Sequence, residues 1–311
     1  MRASLGLGLL GAAGFFGVLA VVVPTYVLES LAVAPDDYYS VTRLRAVDAT
    51  ALDRSSGKKL TGVTVDAVSS LRGDANAATA DLVVWDNFTT VQTADGAVTL
   101  SYTDRRVAFD KRTGTIVNCC GAYVGDTIGV EQSGLAFKWP FFAERKDYPF
   151  FDTVTSQALP MRYRGQEQVA GLAVYRYEQT VGTRRLGEVP GGRLPAAMLG
   201  LPGRGDVKAF VHASVERRYW VEPVTGTPVK IEERQRQTVN TADGVPRLVA
   251  LDADFRSPPE DVDARADQIR ASVALLKAAR GPAPWVLAAL AALSLVAGLV
   301  AIRSRRPVIQ S

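Results

Sequence analysis

The 311 residues offer few side chains that could do chemistry. The two cysteines, Cys119 and Cys120, are neighbours in "VNCCGAY". Adjacent Cα atoms stand about 3.8 Å apart across a trans peptide, less than the usual disulfide separation. Three states compete for the pair: a vicinal bridge that locks the turn, bridges between copies, or two buried thiols. Gly121 loosens the backbone that follows and favours the first. The single histidine, His212, lies in a strand-like alternation. With no second histidine and no Cys-x-x-Cys pair, neither a metal site nor a cofactor is expected. No nucleophile elbow, P-loop or dinucleotide fingerprint occurs. The acid pairs Asp36-Asp37 and Glu232-Glu233 would point to opposite faces of a strand. No enzyme is expected.

The most biased stretch is "FKWPFFAERKDYPFF", residues 137–151, where seven of fifteen side chains are aromatic against 8% for the whole chain. The Trp139-Pro140 and Tyr148-Pro149 steps keep it extended. Phe137, Trp139, Phe141, Phe142, Tyr148, Phe150 and Phe151 have two readings. They cover the core between two modules, or they line an apolar cleft that receives a lipid chain or a partner.

The elements that would position these rings are mostly strands. Val207, Ala209, Val211, Ala213 and Val215 alternate with polar residues, interrupted by Phe210, as a half-buried strand requires. Turn signals at Asp95-Gly96, Thr113-Gly114, Gly191-Gly192, Thr225-Gly226 and Asp243-Gly244 separate such runs. "RRVAFDKRTGTIV" from Arg105 returns as "RRYWVEPVTGTPV" from Arg217, a shift of 112 residues without a gap. Each copy reads as strand, Thr-Gly turn, strand. Gly62 and Gly171 open similar runs at nearly equal distances before the two copies. The fold expected is mainly β, α+β overall, with two related antiparallel β-modules between terminal helices.

The ends of the chain are apolar. Leu5 to Val23 and Trp285 to Ile302 carry no charge. At about 1.5 Å per residue, each approaches the ~30 Å hydrocarbon thickness. A cleaved signal peptide ending at Ala32–Ala34 competes with an anchor for the first run. Arg2, Arg303, Arg305 and Arg306 flank the runs, which by the positive-inside rule places both termini in the cytoplasm. The expected organisation is a span over 1–29, β-module 30–130, aromatic connection 131–159, β-module 160–256, juxtamembrane helix 257–282, span 283–303 and tail 304–311. The net charge of +4 is no case for nucleic acid, because no long Lys/Arg run occurs in the middle.

The fragment "FKWPFFAERKDYPFFDTVTSQALPMRYRGQEQVAGLAVYRYEQTV" resembles the actinobacterial family called domain of unknown function 3068, also labelled the porin PorA family. That family includes a mycobacterial polar growth factor linked to trehalose monomycolate and its flippase-type exporter. The resemblance implies an envelope-lipid role and an exporter or other membrane protein as partner. More loosely, "RRYWVEPVTGTPVKIEERQRQT" is similar to the C-terminal hairpin of LolA-type lipoprotein carriers, whose curved sheet surrounds an apolar cavity. The function expected is therefore a plasma-membrane-anchored, extracytoplasmic, non-catalytic protein that binds or helps traffic envelope lipid. The alternative is a scaffolding component of an envelope transport complex without a lipid cavity.

Overall fold

The computed structural model describes residues 2–303, and the expected cytoplasmic tail, 304–311, lies outside them. Two compact units divide the chain: residues 34–268, and the two ends together, up to 33 and from 269.

The first unit holds all thirteen strands: β1 (Tyr39–Leu52), β2 (Lys59–Gly73), β3 (Leu82–Thr93), β4 (Thr99–Asp110), β5 (Ile116–Val117), β6 (Tyr123–Val124), β7 (Thr127–Ile128), β8 (Tyr148–Asp152), β9 (Gln157–Val169), β10 (Leu172–Pro195), β11 (Asp206–Glu222), β12 (Thr227–Thr241) and β13 (Pro246–Arg256). They form one antiparallel sheet in the order β7-β6-β4-β3-β2-β1-β13-β12-β11-β10-β9-β8, with β5 beside β4. The expectation of a mainly β fold between apolar terminal helices holds. Every step is between chain neighbours except β4 to β6, which passes over β5, and β1 to β13, where the first strand meets the last.

The two far ends of this order are tied together. Leu135 makes an antiparallel bridge to Thr115, next to β5, and a parallel bridge to Phe150 in β8. Four backbone hydrogen bonds carry the link: Ile116 N to Gly134 O (2.9 Å), Ala136 N to Gly114 O (3.1 Å), Leu135 N to Pro149 O (2.7 Å) and Phe151 N to Leu135 O (3.1 Å). The pairing therefore returns to its start, and only β6 and β7 stand off the closed path.

Period-two patterning sets the two faces of the sheet. Val65, Val83, Trp85, Val107, Phe109, Tyr177, Val215, Leu251, Ala253 and Phe255 are buried on one face. The other face carries cross-strand ion pairs, including Arg45–Asp66 (2.7 Å), Arg106–Asp86 (2.9 Å), Arg164–Glu178 (3.1 Å), Arg218–Glu232 (3.3 Å) and Arg236–Asp252 (3.3 Å).

In the second unit, α1 (Arg2–Val22) continues through a π-turn (Val23–Val27) into α2 (Leu28–Leu31). α3 (Pro259–Arg280) starts in the sheet unit with Glu260 and Asp261 in its first turn, which favours the positive helix N-terminus, and α4 (Pro282–Arg303) follows. α1 and α4 pack antiparallel: a Cβ on Gly6 would lie 2.7 Å from Ile302 and 3.3 Å from the Gly298 carbonyl, and Gly17 faces Ala291. Ser4–Leu31 and Pro282–Arg303 are long and apolar enough to cross a membrane.

Candidate functional site

The repeated hairpins explain where the aromatic segment goes. In each copy the acid at the strand end caps its own turn. The Asp110 carboxylate accepts from the backbone of Arg112 (2.9 Å) and Thr113 (2.7 Å) and from the Thr113 hydroxyl (2.9 Å). Glu222 accepts from Val224 (3.1 Å), from Thr225 N (2.8 Å) and from the Thr225 hydroxyl (2.9 Å). Gly114 and Gly226 follow, both at φ +71°, the left-handed region where glycine meets no Cβ penalty.

The segment from Leu135 to Ala143 runs between these two turns. Ala136 N donates to Gly114 O, and Phe141 N to Arg112 O (3.0 Å). Trp139 N donates to Gly226 O (2.8 Å), Phe142 N to Val224 O (3.0 Å) and Ala143 N to Pro223 O (2.7 Å). A Cβ on Gly226 would overlap the Trp139 carbonyl, and one on Gly114 would lie 2.5 Å from the Lys138 carbonyl. Glycine is required at both turns because the segment passes so close.

The seven rings do not share one place. Phe137 and Phe151 join the cluster of Val83, Trp85, Val107 and Phe109. Trp139, Tyr148 and Phe150 join Leu135, Met161, Tyr177 and Val221. Trp139 is fully buried, with Phe150, Tyr177 and Tyr219 within 5.7 Å of its ring centre. Phe141 lies under the Lys138 ammonium, 3.8 Å from its ring centre. Phe142 takes a positive φ of 55°.

The arginine pairs were the missed functional signal. Alternation sends Arg105 and Arg217 inward and Arg106 and Arg218 outward. Arg217 is buried in an ion-pair network: its Nη1 meets Asp152 at 2.5 Å and Gln179 at 2.9 Å, and its Nε meets Glu233 at 2.8 Å. Burial alone would raise the Asp152 carboxyl, but the Arg217 charge and hydrogen bonds from Thr155 and Arg217 hold it below its ordinary value. Arg105 has no such acid. Its Nε donates to Gln132 (2.7 Å) and its guanidinium lies 4.9 Å from the Phe137 ring centre and 4.7 Å from that of Phe151. Burial disfavours its charged form. Lys138, whose ammonium donates to the Trp139 carbonyl at 2.8 Å, is pushed down to about 7 by burial, opposed by the Asp110 charge.

Cys119 and Cys120 are joined in a vicinal disulfide. Among the described residues no group of three His, Cys, Asp or Glu side chains could hold a metal ion.

A closed antiparallel sheet with a charged outer face, joined to two apolar helices, defines a membrane-associated, mainly β protein. The chain belongs to the family described as "Porin PorA", whose model matches residues 5–300. It is similar to a protein named "Porin PorA" from Corynebacterium resistens, 24% identical with 93% of this chain and 94% of the relative aligned. It is also similar to one of the same name from Corynebacterium amycolatum, 27% identical over 31% of each chain.

These findings correct two expectations. The lipid-binding and lipid-trafficking role is overturned, because the family and both relatives carry the name of a porin. The packing runs the same way: Trp139, Tyr148, Phe150 and Phe151 are buried in two filled clusters. The expected localisation, a plasma-membrane anchor of two spans with an extracytoplasmic domain and cytoplasmic termini, falls with the same family assignment.

Proposed function

We propose that the chain is a channel-forming protein of the cell envelope, non-catalytic, and that the channel is built from several copies. The observation that carries this reading is the match to the porin family over residues 5–300, which takes in both apolar helices and the whole sheet. The lipid-facing band of a transmembrane barrel is apolar. The outer face of this sheet carries the Arg–Asp and Arg–Glu pairs described above instead, so one copy by itself presents no such band. A single sheet with that charged outer face cannot line a membrane channel alone, so several copies are needed.

The test is conductance of the purified full-length protein in planar bilayers. Stepwise, voltage-supported currents that scale with protein concentration more steeply than first order are expected. Correctly folded, bilayer-inserted protein without conductance would sink the reading.

Residues 30–130 and 160–256 are further read as related β-modules. Matched acid-capped Thr-Gly turns, each in contact with the aromatic connection, support the relation.

A further inference from the structure

We propose that the Cys119–Cys120 disulfide is a redox-modification site whose co-reactants are dithiols, and that its reduction releases the segment from Asn118 to Gln132 from β4. Cys120 is exposed and Cys119 is half-buried, so an incoming thiolate can reach the bridge. Cys120 is one of few non-glycine residues at positive φ, +63°, and Gly121 follows at +74°. A non-glycine residue held in that region returns to ordinary backbone once its constraint is gone.

The constrained turn is wired to both faces of β4. On the outer face, the Cys120 carbonyl accepts from Arg106 Nε at 3.0 Å, while the rest of that guanidinium binds Asp86 and Asp74. On the inner side, the Asn118 carboxamide holds both backbone groups of Gln132: its Oδ1 accepts from Gln132 N and its Nδ2 donates to Gln132 O, each at 2.9 Å. The Gln132 side chain in turn accepts from Arg105 Nε at 2.7 Å and donates to the Arg106 carbonyl at 3.1 Å. The chain between these anchors contains only the two-residue strands β6 and β7, and Ile128 is 84% exposed. Apart from the turn, this stretch is held by the short pairing of β6 with β4, Val124 beside Arg105 and Tyr123 beside Arg106, by Gly125 N donating to Asp104 O at 2.8 Å, and by Val124 and Val130 against the inner cluster.

The exchange balances simply. A thiolate of the dithiol attacks Sγ of Cys120, forms a mixed disulfide and expels the Cys119 thiolate, which takes a proton. The second thiol of the reductant then displaces Cys120, so the chain gains two electrons and two protons and the reductant leaves as a disulfide.

Full-length protein isolated under oxidising conditions and kept in mild detergent would be compared before and after dithiothreitol. The oxidised chain is expected to take no alkylating label and the reduced chain one label on each cysteine. On reduction, amide hydrogen exchange over residues 119–132 should rise about tenfold or more, with β10 to β12 unchanged, and should reverse on reoxidation. The double variant C119S/C120S should show the reduced pattern with or without dithiothreitol. Alkylation of both cysteines in the oxidised preparation would overturn the proposal, as would unchanged exchange on reduction. Because the wild-type comparison is reversible, the outcome stands even if the double variant folds poorly.

Discussion

At the scale of single residues, the inward arginines set the energetics. Replacing Asp152 by Ala leaves Arg217 buried beside one remaining carboxylate, which should cost roughly 3–5 kcal/mol in chemical denaturation. The sign of the pH dependence follows from the lowered Asp152 value. Its contribution is present above the ordinary carboxylate range and is lost as pH falls through the folded value. Lys138 gives the same sign in a higher pH window, here because a burial penalty on its charged form is relieved as the proton leaves. Its folded value near 7 lies below that of the unfolded chain, so between about 7 and the free-lysine value of about 10.4 the unfolded state holds the extra proton. Stability should therefore rise with pH across that window, by at most about 1.4 kcal/mol per unit, and Lys138→Met should flatten the rise. A wild-type slope of zero in denaturation midpoints would refute this assignment. None of these residues was singled out by type, since an Arg-Arg pair reads as surface charge until strand alternation assigns one of its members to the interior.

At the scale of elements, one turn design recurs beyond the repeat visible in the sequence. Asp152 accepts from the backbone and hydroxyl of Thr155, as Asp110 does from Thr113. Asp53 does the same for Ser56 before Gly57. An acid, two spacers, a hydroxyl residue and a left-handed position thus close four hairpins. The paired copies were legible because a Thr-Gly turn between alternating strands is a local signal. The other two were not, because Ser156 and Ser56 replace the diagnostic letters while keeping the geometry. Gly226→Ala should be among the most damaging substitutions, costing roughly 3 kcal/mol or more, since a Cβ there meets both a positive φ and the Trp139 carbonyl. Gly96→Ala has open space around it and should pay only the backbone cost, about 1 kcal/mol. Thermal melts of the two variants would separate these effects. Trp139→Ala removes a fully buried ring and should cost about 3–5 kcal/mol.

At the scale of the whole chain, strands and apolar ends were readable from periodicity and length, while the pairing of β1 with β13 was not. Local alternation says which residues are inside a strand but nothing of which distant strand lies beside it. The same limit hid the role of Gly134, Leu135 and Ala136, a three-residue bridge with no strand-like pattern of its own. The aromatic segment was conspicuous by composition, but composition does not distinguish a filled core from an open cleft. Five of its seven rings divide between two clusters, Phe137 and Phe151 in one and Trp139, Tyr148 and Phe150 in the other. Leu135→Pro removes the amide that donates to Pro149 O, and should raise amide exchange in β5 and β8 before that in β2 or β12.

The meeting of the first strand with the last has a consequence for biosynthesis. As the ribosome extends the nascent polypeptide, Tyr39–Leu52 can find Lys59–Gly73 early, but its other flank stays bare until Pro246–Arg256 has emerged. For nearly two hundred codons an unpaired edge is therefore offered to any passing strand. A holdase that shields Tyr39–Leu52 during that interval should raise the yield of soluble product more than one that engages the chain after release.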